Sequence, residues 1–204
     1  MPNWCSNTLT VTGPKEDLEA FAKAARGLTP PHLGIRPAGG KRKVDARAQE
    51  EKRQEIARAE AAYGNALASD QLETLSLHSL APIPRPILNG PFDGIDSKYS
   101  VKNFGGLISG QIPAPDGYWW RLQNWGTKWE VDAHLEVQDK ALIYTFESAW
   151  SPPVKAIVTG SKSWPRLRFK IEYDEPGVGF SGYAIIKAGK ITEEVDQSGN
   201  EQED

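Results

Sequence analysis

The sequence predicts an α+β fold in which one antiparallel sheet carries two helices on a single face, in the order strand, helix, strand, strand, helix, strand. Three observations carry that reading. Residues 8–12 and 167–173 alternate apolar and polar side chains with the period of a half-buried strand. Residues 129–138 and 141–148 do the same on either side of Asp139-Lys140, which marks a hairpin. Helical stripes follow the first strand and the hairpin.

Taken in order, Leu9 and Val11 alternate with Thr8, Thr10 and Thr12, and Gly13-Pro14 ends the strand. Proline at a first helical position, with Glu16 and Asp17 in the first turn, starts a helix. Leu18, Phe21, Ala22 and Ala25 form its apolar stripe, and Gly27 is placed to cap it. Residues 28–40 hold three prolines and three glycines and read as a loop. From 41 to about 70 the chain is rich in strong helix formers, with Arg47 and Glu51, and Glu55 and Arg58, at supportive spacings. The stripe Ile56, Ala59, Tyr63, Ala66 and Leu67 begins late, so the first half of this helix should project into solvent and the second half dock. Pro82, Pro84 and Pro86 argue against regular structure, and 89–117 reads as loop with one short helix near 97–103.

In the hairpin, Val131, Ala133, Leu135 and Val137 form the core side, with Glu130, Asp132, His134 and Glu136 on the wet side. Leu142, Tyr144 and Phe146 oppose Ile143 and Thr145 in the same way. Ser151-Pro152-Pro153 reads as a cap before the stripe Val154, Ile157 and Val158. Leu167, Phe169, Ile171 and Tyr173 face away from Arg168, Lys170 and Glu172, and 183–186 suggests an extra strand after a turn at Glu175-Pro176-Gly177. Four strands backed by two helices is the split, ferredoxin-like βαββαβ arrangement, here with an extra C-terminal strand and a long insertion after the first helix. The expected divisions are 1–28 for the first strand and helix, and 29–117 for the insertion with its charged helix at about 41–70. The rest of the domain follows at 118–192, and 193–204 is an acidic tail expected to be disordered.

Composition narrows function by exclusion. A net charge of −3 over 204 residues leaves no overall basic footprint for nucleic acid. Cys5, the one cysteine, cannot form an intramolecular disulfide, which makes a reducing cytoplasm the default. No signal-like segment and no run of about 20 apolar residues suggests a membrane. His32, His78 and His134 lie in separate segments without paired spacing, so no metal site is expected, nor any other cofactor. Cys5 beside Trp4 reads as a packed small residue. Gly177 to Gly182 lies between strands, whereas a dinucleotide loop opens a helix. Asp132, Glu172, Asp174 and Glu175 can converge, but ion pairing with Arg168 and Lys170 is the ordinary explanation. No catalytic residue is therefore assigned. A base-stacking module would carry aromatics on the open side of its central strands. The central strands expected here, 7–12 and 141–147, offer Thr8, Thr10, Thr12, Ile143 and Thr145 instead. Nucleic-acid binding is thus the weaker alternative. A small enzyme or nucleotide binder using Asn124, Lys128 and nearby carboxylates ranks below it.

Five of the seven tryptophans fall between 119 and 150. Interface hot spots are enriched in Trp, Tyr and Arg. Trp119, Trp120, Arg121, Asn124, Trp125 and Lys128 therefore form the candidate partner surface. Adjacent tryptophans in a strand would point to opposite sides, so at most one of Trp119 and Trp120 could enter the sheet's own core. Trp4, Trp129 and Trp150 are assigned to a packing cluster, which in the plainer reading also takes in Trp125.

PNWCSNTLTVTG, LAPIPRPIL, NWGTKWEVD, AWSPP and YDEPGVGFSG occur in that order. Together they resemble the YubB-like family of phage- and plasmid-encoded proteins, over residues 2–26, about 80–88 and 118–183. The resemblance implies a ferredoxin-like domain, a mobile-element origin and a bacterial host, with no catalytic residues to carry over. The expectation is a non-enzymatic accessory protein in the bacterial cytoplasm, binding a host or defence protein, with inhibition of a defence system as one role such binding would serve. Residues 30–70 and the tail lie outside the resemblance.

Overall fold

Six strands make one antiparallel sheet in the computed structural model, which describes residues 3–34, 46–90, 92 and 117–197. They are β1 (Trp4–Thr12), β2 (Ala133–Gln138), β3 (Ala141–Ala149), β4 (Arg168–Glu175), β5 (Phe180–Lys187) and β6 (Lys190–Asp196). Their spatial order is β2-β3-β1-β4-β5-β6, which puts β1 and β3 at the centre of the four core strands as expected. The helices are α1 (Lys15–Ala25), α2 (Ala46–Ala68), α3 (Leu77–Leu80), α4 (Arg85–Asn89), α5 (Gly117–Asn124) and α6 (Val154–Ser161). No helix among the described residues is long and apolar enough to cross a membrane. The chain divides into two compact units: Met1–Thr29, Glu73–Pro82 and Arg121–Asp204 make the first, and Pro30–Leu72 and Ile83–Trp120 the second.

The strand alternation builds the core of the first unit. Leu9, Val11, Leu142, Tyr144, Phe169 and Ile171 are buried on the helix side of the sheet. Phe21 of α1 meets Phe169, Trp164 and Tyr144 edge-on, at centroid distances of 5.2, 5.6 and 6.3 Å. Such pairs contribute about 0.5–1.5 kcal/mol each beyond the area they bury. On α6, Ala156 and Ile157 are buried, and Gly160 allows close approach to α3, since a Cβ there would lie 2.9 Å from Leu80 Cδ2.

The first excursion of the chain from this core leaves and returns at one place. Gly27 and Glu73 exchange backbone hydrogen bonds of 3.2 and 3.0 Å, and Ser76 N–H donates to the Ala25 carbonyl at 2.8 Å. α1 ends at Ala25 with Arg26 as its C-cap, so Gly27 is not the cap its position suggested. It is glycine because a Cβ would meet Ser79 Oγ at 2.2 Å. The Glu130 carboxylate then accepts from Leu77 N–H (2.6 Å), His78 N–H (3.3 Å) and Ser76 Oγ (3.1 Å), and from the Thr29 hydroxyl. Those amides are orphan donors at the start of α3, which a carboxylate satisfies well. Glu130 therefore does not stand on a wet strand face. β2 begins only at Ala133, so the alternation read from 129 does not apply to it.

Other expectations change for identifiable reasons. The proline-rich 80–88 segment forms α3 and α4, because Pro84 is an N-cap and Pro86 occupies the first turn, where a missing N–H costs nothing. Ser151 does not cap α6; Pro153 holds the N-cap position, and Ser151 Oγ donates to Gly126 O at 2.5 Å. Residues 193–196, assigned to the disordered tail by composition, complete β6. An edge strand paired on one side tolerates charge on both faces. The remainder of the tail, the short helix near 97–103 and most of the 89–117 loop lie outside the described residues.

α2 begins within the expected 41–70 span, and none of its described side chains is buried. Its half-buried positions, Lys52, Ile56, Ala59, Tyr63 and Ala66, run along most of its length instead of only the second half, and Leu67 is exposed. Arg47 pairs with Glu51 at 3.1 Å as its spacing suggests, while Glu55 pairs with Lys52 at 3.0 Å.

Two buried protic groups link the core to pH. The Tyr144 hydroxyl is buried with no hydrogen-bond partner among the described residues, and burial pushes it up from 10.0 to about 12. Burial likewise pushes the Cys5 thiol from 9.0 to about 11, against a lowering hydrogen bond with Ser148. Both folded-state values lie above the unfolded ones. Between about pH 9 and 12 the folded chain therefore keeps protons that the unfolded chain has released, and stability falls as pH rises through that window. Tyr144→Phe should raise stability near pH 7 by about 1 kcal/mol, by removing a desolvated hydroxyl with nothing to bond. It should also flatten the decline above about pH 10, as followed by urea titrations at stepped pH. A less stable variant would show that the hydroxyl has a partner.

Candidate functional site

The sheet face turned away from α1 and α6 is built by the other half of the alternation. β1 presents Trp4, Ser6 and Thr8 there. Ser6 stands opposite Glu147 of β3 on one side and Asp174 of β4 on the other, and Thr8 stands between Thr145 and Glu172. Small hydroxyl residues on the central strand are thus flanked by longer acidic residues, which makes a trough along β1. Strands lie about 4.8 Å apart, so the backbones carrying Glu147 and Asp174 are about 10 Å apart. The trough opens into a groove of about 820 Å³ that Trp4 helps to line. Its lining includes Glu130, Asp132, Glu147, Glu172 and Asp174 and, among the described residues, no lysine, arginine or histidine. Ser6 Oγ donates to Glu147 at 2.7 Å, and Lys170, beyond the rim, bonds Glu172 at 2.6 Å. The Glu73 carboxyl is raised by burial first and then by neighbouring Asp132 and Glu130.

Trp4 is 50% exposed and belongs to an aromatic group at the end of the trough. Its ring lies 5.9 Å from that of Trp129 at 48°. Lys128 Nζ sits 4.3 Å from the Trp129 centroid and 5.5 Å from that of Trp150. Trp150 is 44% exposed and has φ +73°, a left-handed conformation that costs a bulky residue on the order of 1–3 kcal/mol. Hydrogen bonds hold it there: Trp150 N–H donates to Asn3 O (3.0 Å), and Ser148 Oγ to Ser151 O (2.9 Å). Thr127 Oγ1 adds a bond to Ala149 O at 2.9 Å. Gly126, at φ +93°, lets the 125–127 turn pass beneath, where a Cβ would meet Pro152 O at 2.9 Å.

Trp125 points the other way. It is fully buried, its indole N–H donates to Ala81 O at 2.8 Å, and the Arg121 guanidinium lies 4.8 Å over its ring. Arg121 is also buried, which pulls it down to about 10 against the opposing charge of Glu130. The candidate partner surface read from the sequence therefore does not assemble. Trp125 and Arg121 are interior, Asn124 is exposed at the end of α5, and Lys128 lies against Trp129 and Trp150. Trp119 and Trp120 lie on α5 instead of an extended segment; both are half-buried, and Trp119 packs edge-on against Tyr118 at 5.2 Å. Trp4, Trp129 and Trp150 do come together as assigned, through the Trp4–Trp129 contact and through Lys128, and Trp4 and Trp150 also reach solvent. One signal for this was legible, because Trp4 has the same strand parity as the wet residues Thr8, Thr10 and Thr12.

Glu175 does not converge with Asp132, Glu172 and Asp174. It is buried, and its carboxylate accepts from Gly177 N–H (3.1 Å) and Val178 N–H (2.6 Å), filling the glycine-rich turn from within. Among the described residues no group of three or more His, Cys, Asp or Glu is arranged to hold a metal ion.

Residues 124–204 match a family model described as a ferredoxin-like domain in Api92-like protein. The fold is accordingly α+β and ferredoxin-like. The crystal structure of protein api92 from Yersinia pseudotuberculosis is similar at 13% identity and a TM-score of 0.48, over 98% of this chain and 99% of that one. No curated protein matches the chain.

The inside and outside tryptophans should separate cleanly in stability. Trp125→Ala should cost about 3–5 kcal/mol, the figure for a buried large aromatic. Trp150→Gly should leave the melting temperature unchanged or raised, since glycine relieves the positive φ and the exposed cation–π contact contributes only about 0.5–1 kcal/mol. A marked loss in Trp150→Gly, measured by calorimetry, would make that indole a packing residue.

Proposed function

We propose that this protein acts by binding another protein, without catalysis, and that the open sheet face at the Trp4 end is the surface it uses. One observation carries the reading: Trp4, half exposed, lines a solvent-open groove and belongs to an aromatic group whose other exposed member, Trp150, holds a strained backbone conformation. Large aromatic anchors beside a cleft are the usual chemistry of interface hot spots. Strain that packing does not require is a reason to look for function. The resemblance to phage- and plasmid-encoded proteins supports a bacterial host or defence protein as the partner, met in the cytoplasm.

Nucleic acid fits this face less well. The central strands carry Ser6, Thr8, Thr10, Ile143 and Thr145 where bases would stack, and the groove's carboxylates would repel phosphate. An enzyme using Asn124 and Lys128 also gains little support, because Lys128 Nζ lies against two indole rings.

The reading is tested by immobilising the intact chain and passing bacterial host lysate over it, with a Trp4→Ala, Trp150→Gly double variant and Val137→Ser in parallel. Val137 is exposed on β2, outside the groove's lining. The wild type and Val137→Ser should retain the same protein, and the double variant should lose at least about tenfold of that affinity when the purified partner is titrated. Equal affinity for the double variant, or retention of nucleic acid in place of protein, would overturn the assignment.

A further inference from the structure

We infer that the trough along β1 takes an arginine side chain of the partner protein, its guanidinium lying on Trp4 and between Glu147 and Asp174. This rests on the open face being the binding surface and adds the chemistry of what enters it.

The charge pattern sets the sign of the ligand. Among the described residues neither Glu147 nor Asp174 is in a salt bridge, and Glu147 accepts only a neutral hydroxyl, from Ser6. Lys170 of β4 is already engaged elsewhere. Lys170 bonds Glu172 and lies 5.3 Å from the centroid of Tyr183, on the β5 side. Among the described residues, two carboxylates therefore face each other across Ser6 with no cation paired to either.

The dimensions and the aromatic wall choose the kind of cation. A guanidinium with one hydrogen bond on each edge spans about 8 Å, which fits between carboxylates leaning in from backbones about 10 Å apart. The floor residues Ser6 and Thr8 are short enough to leave that space open. Trp4 supplies the flat apolar face on which a guanidinium stacks, while an ammonium is a compact, strongly hydrated charge that cannot bridge both walls. The aromatic group already accepts a cation in this chain, since Lys128 Nζ lies 4.3 Å from the centroid of Trp129.

The test uses the full chain and a synthetic heptapeptide of alternating glycine and arginine. Lysine and citrulline versions serve as controls, and binding is followed by calorimetry and by tryptophan fluorescence. The arginine peptide should bind, should bind more tightly than the lysine peptide, and should weaken as salt is raised. The citrulline peptide, uncharged but of similar shape, should not bind. The Glu147→Gln, Asp174→Asn double variant and Trp4→Ala should each weaken the arginine peptide by about tenfold, with unchanged melting temperatures. Absence of arginine-peptide binding, equal binding of the citrulline peptide, or indifference to both variants would overturn the inference. If any of these occurs while a host protein is still captured in a Trp4-dependent way, the face remains the binding surface and only its ligand is wrong. If capture is also independent of Trp4, both readings fall.

Discussion

The Glu130 carboxylate is the contact on which the domain's continuity depends. A split βαββαβ sheet must bring its first strand and helix back against a hairpin that follows much later in the chain, here after an insertion between Thr29 and Glu73 and another stretch after Pro82. Glu130 gathers the three segments that border those excursions, through Thr29, through Ser76, Leu77 and His78, and through its own place just before β2. The paired backbone bonds between Gly27 and Glu73 close the neck of the first excursion. Loop-closure entropy rises only slowly with length, so an insertion of this size is tolerated once its ends are held together. Trp125 secures the same region from the other side, by filling the interior and donating to Ala81 O. All six described strands of the sheet lie within the first unit.

Most of the fold was legible because the sheet is half-buried. One face packs on helices and the other meets water, so β1, β3 and β4 each announce their orientation residue by residue, and the order of elements then selects the topology. Legibility ended where that alternation ended. Glu130 is an acidic residue in phase with a strand, and only its neighbours in space reveal it as a helix cap. β6 carries Glu193, Glu194 and Asp196, and its composition resembles a solvated tail because an edge strand needs pairing and little burial. The prolines at 84 and 86 were read as breakers, although the start of a helix is the place where proline is compatible with it.

The tryptophans show why residue type alone could not place the site. Trp119, Trp120 and Trp125 sit close together in sequence beside an arginine, which suits an interface, yet Trp125 and Arg121 are drawn inside to fill the space beneath Ala81. Trp4, Trp129 and Trp150 are scattered in sequence and meet only because β1 pairs with β3, with Trp4 opposite Ala149. The backbone conformation that turns Trp150 outward depends on bonds from Ser148 and to Asn3, and nothing in the AWSPP segment alone signals it.

Net charge could not reveal the acidic face for a related physical reason. A value of −3 for the whole chain averages over residues whose fields do not overlap, since beyond about 8–10 Å exposed charges are largely screened. What acts at a surface is the local field, and among the described residues lining the groove every charged one is a carboxylate. The alternation that buries Leu9 and Val11 forces Ser6 and Thr8 to the opposite face, and the pairing register sets Glu147, Glu172 and Asp174 beside them. The acidic trough is therefore a consequence of strand register. A shift of either neighbouring strand by one residue would carry those carboxylates to the core side, where burial without partners is far too costly. The same register that makes the core apolar keeps the acidic face intact.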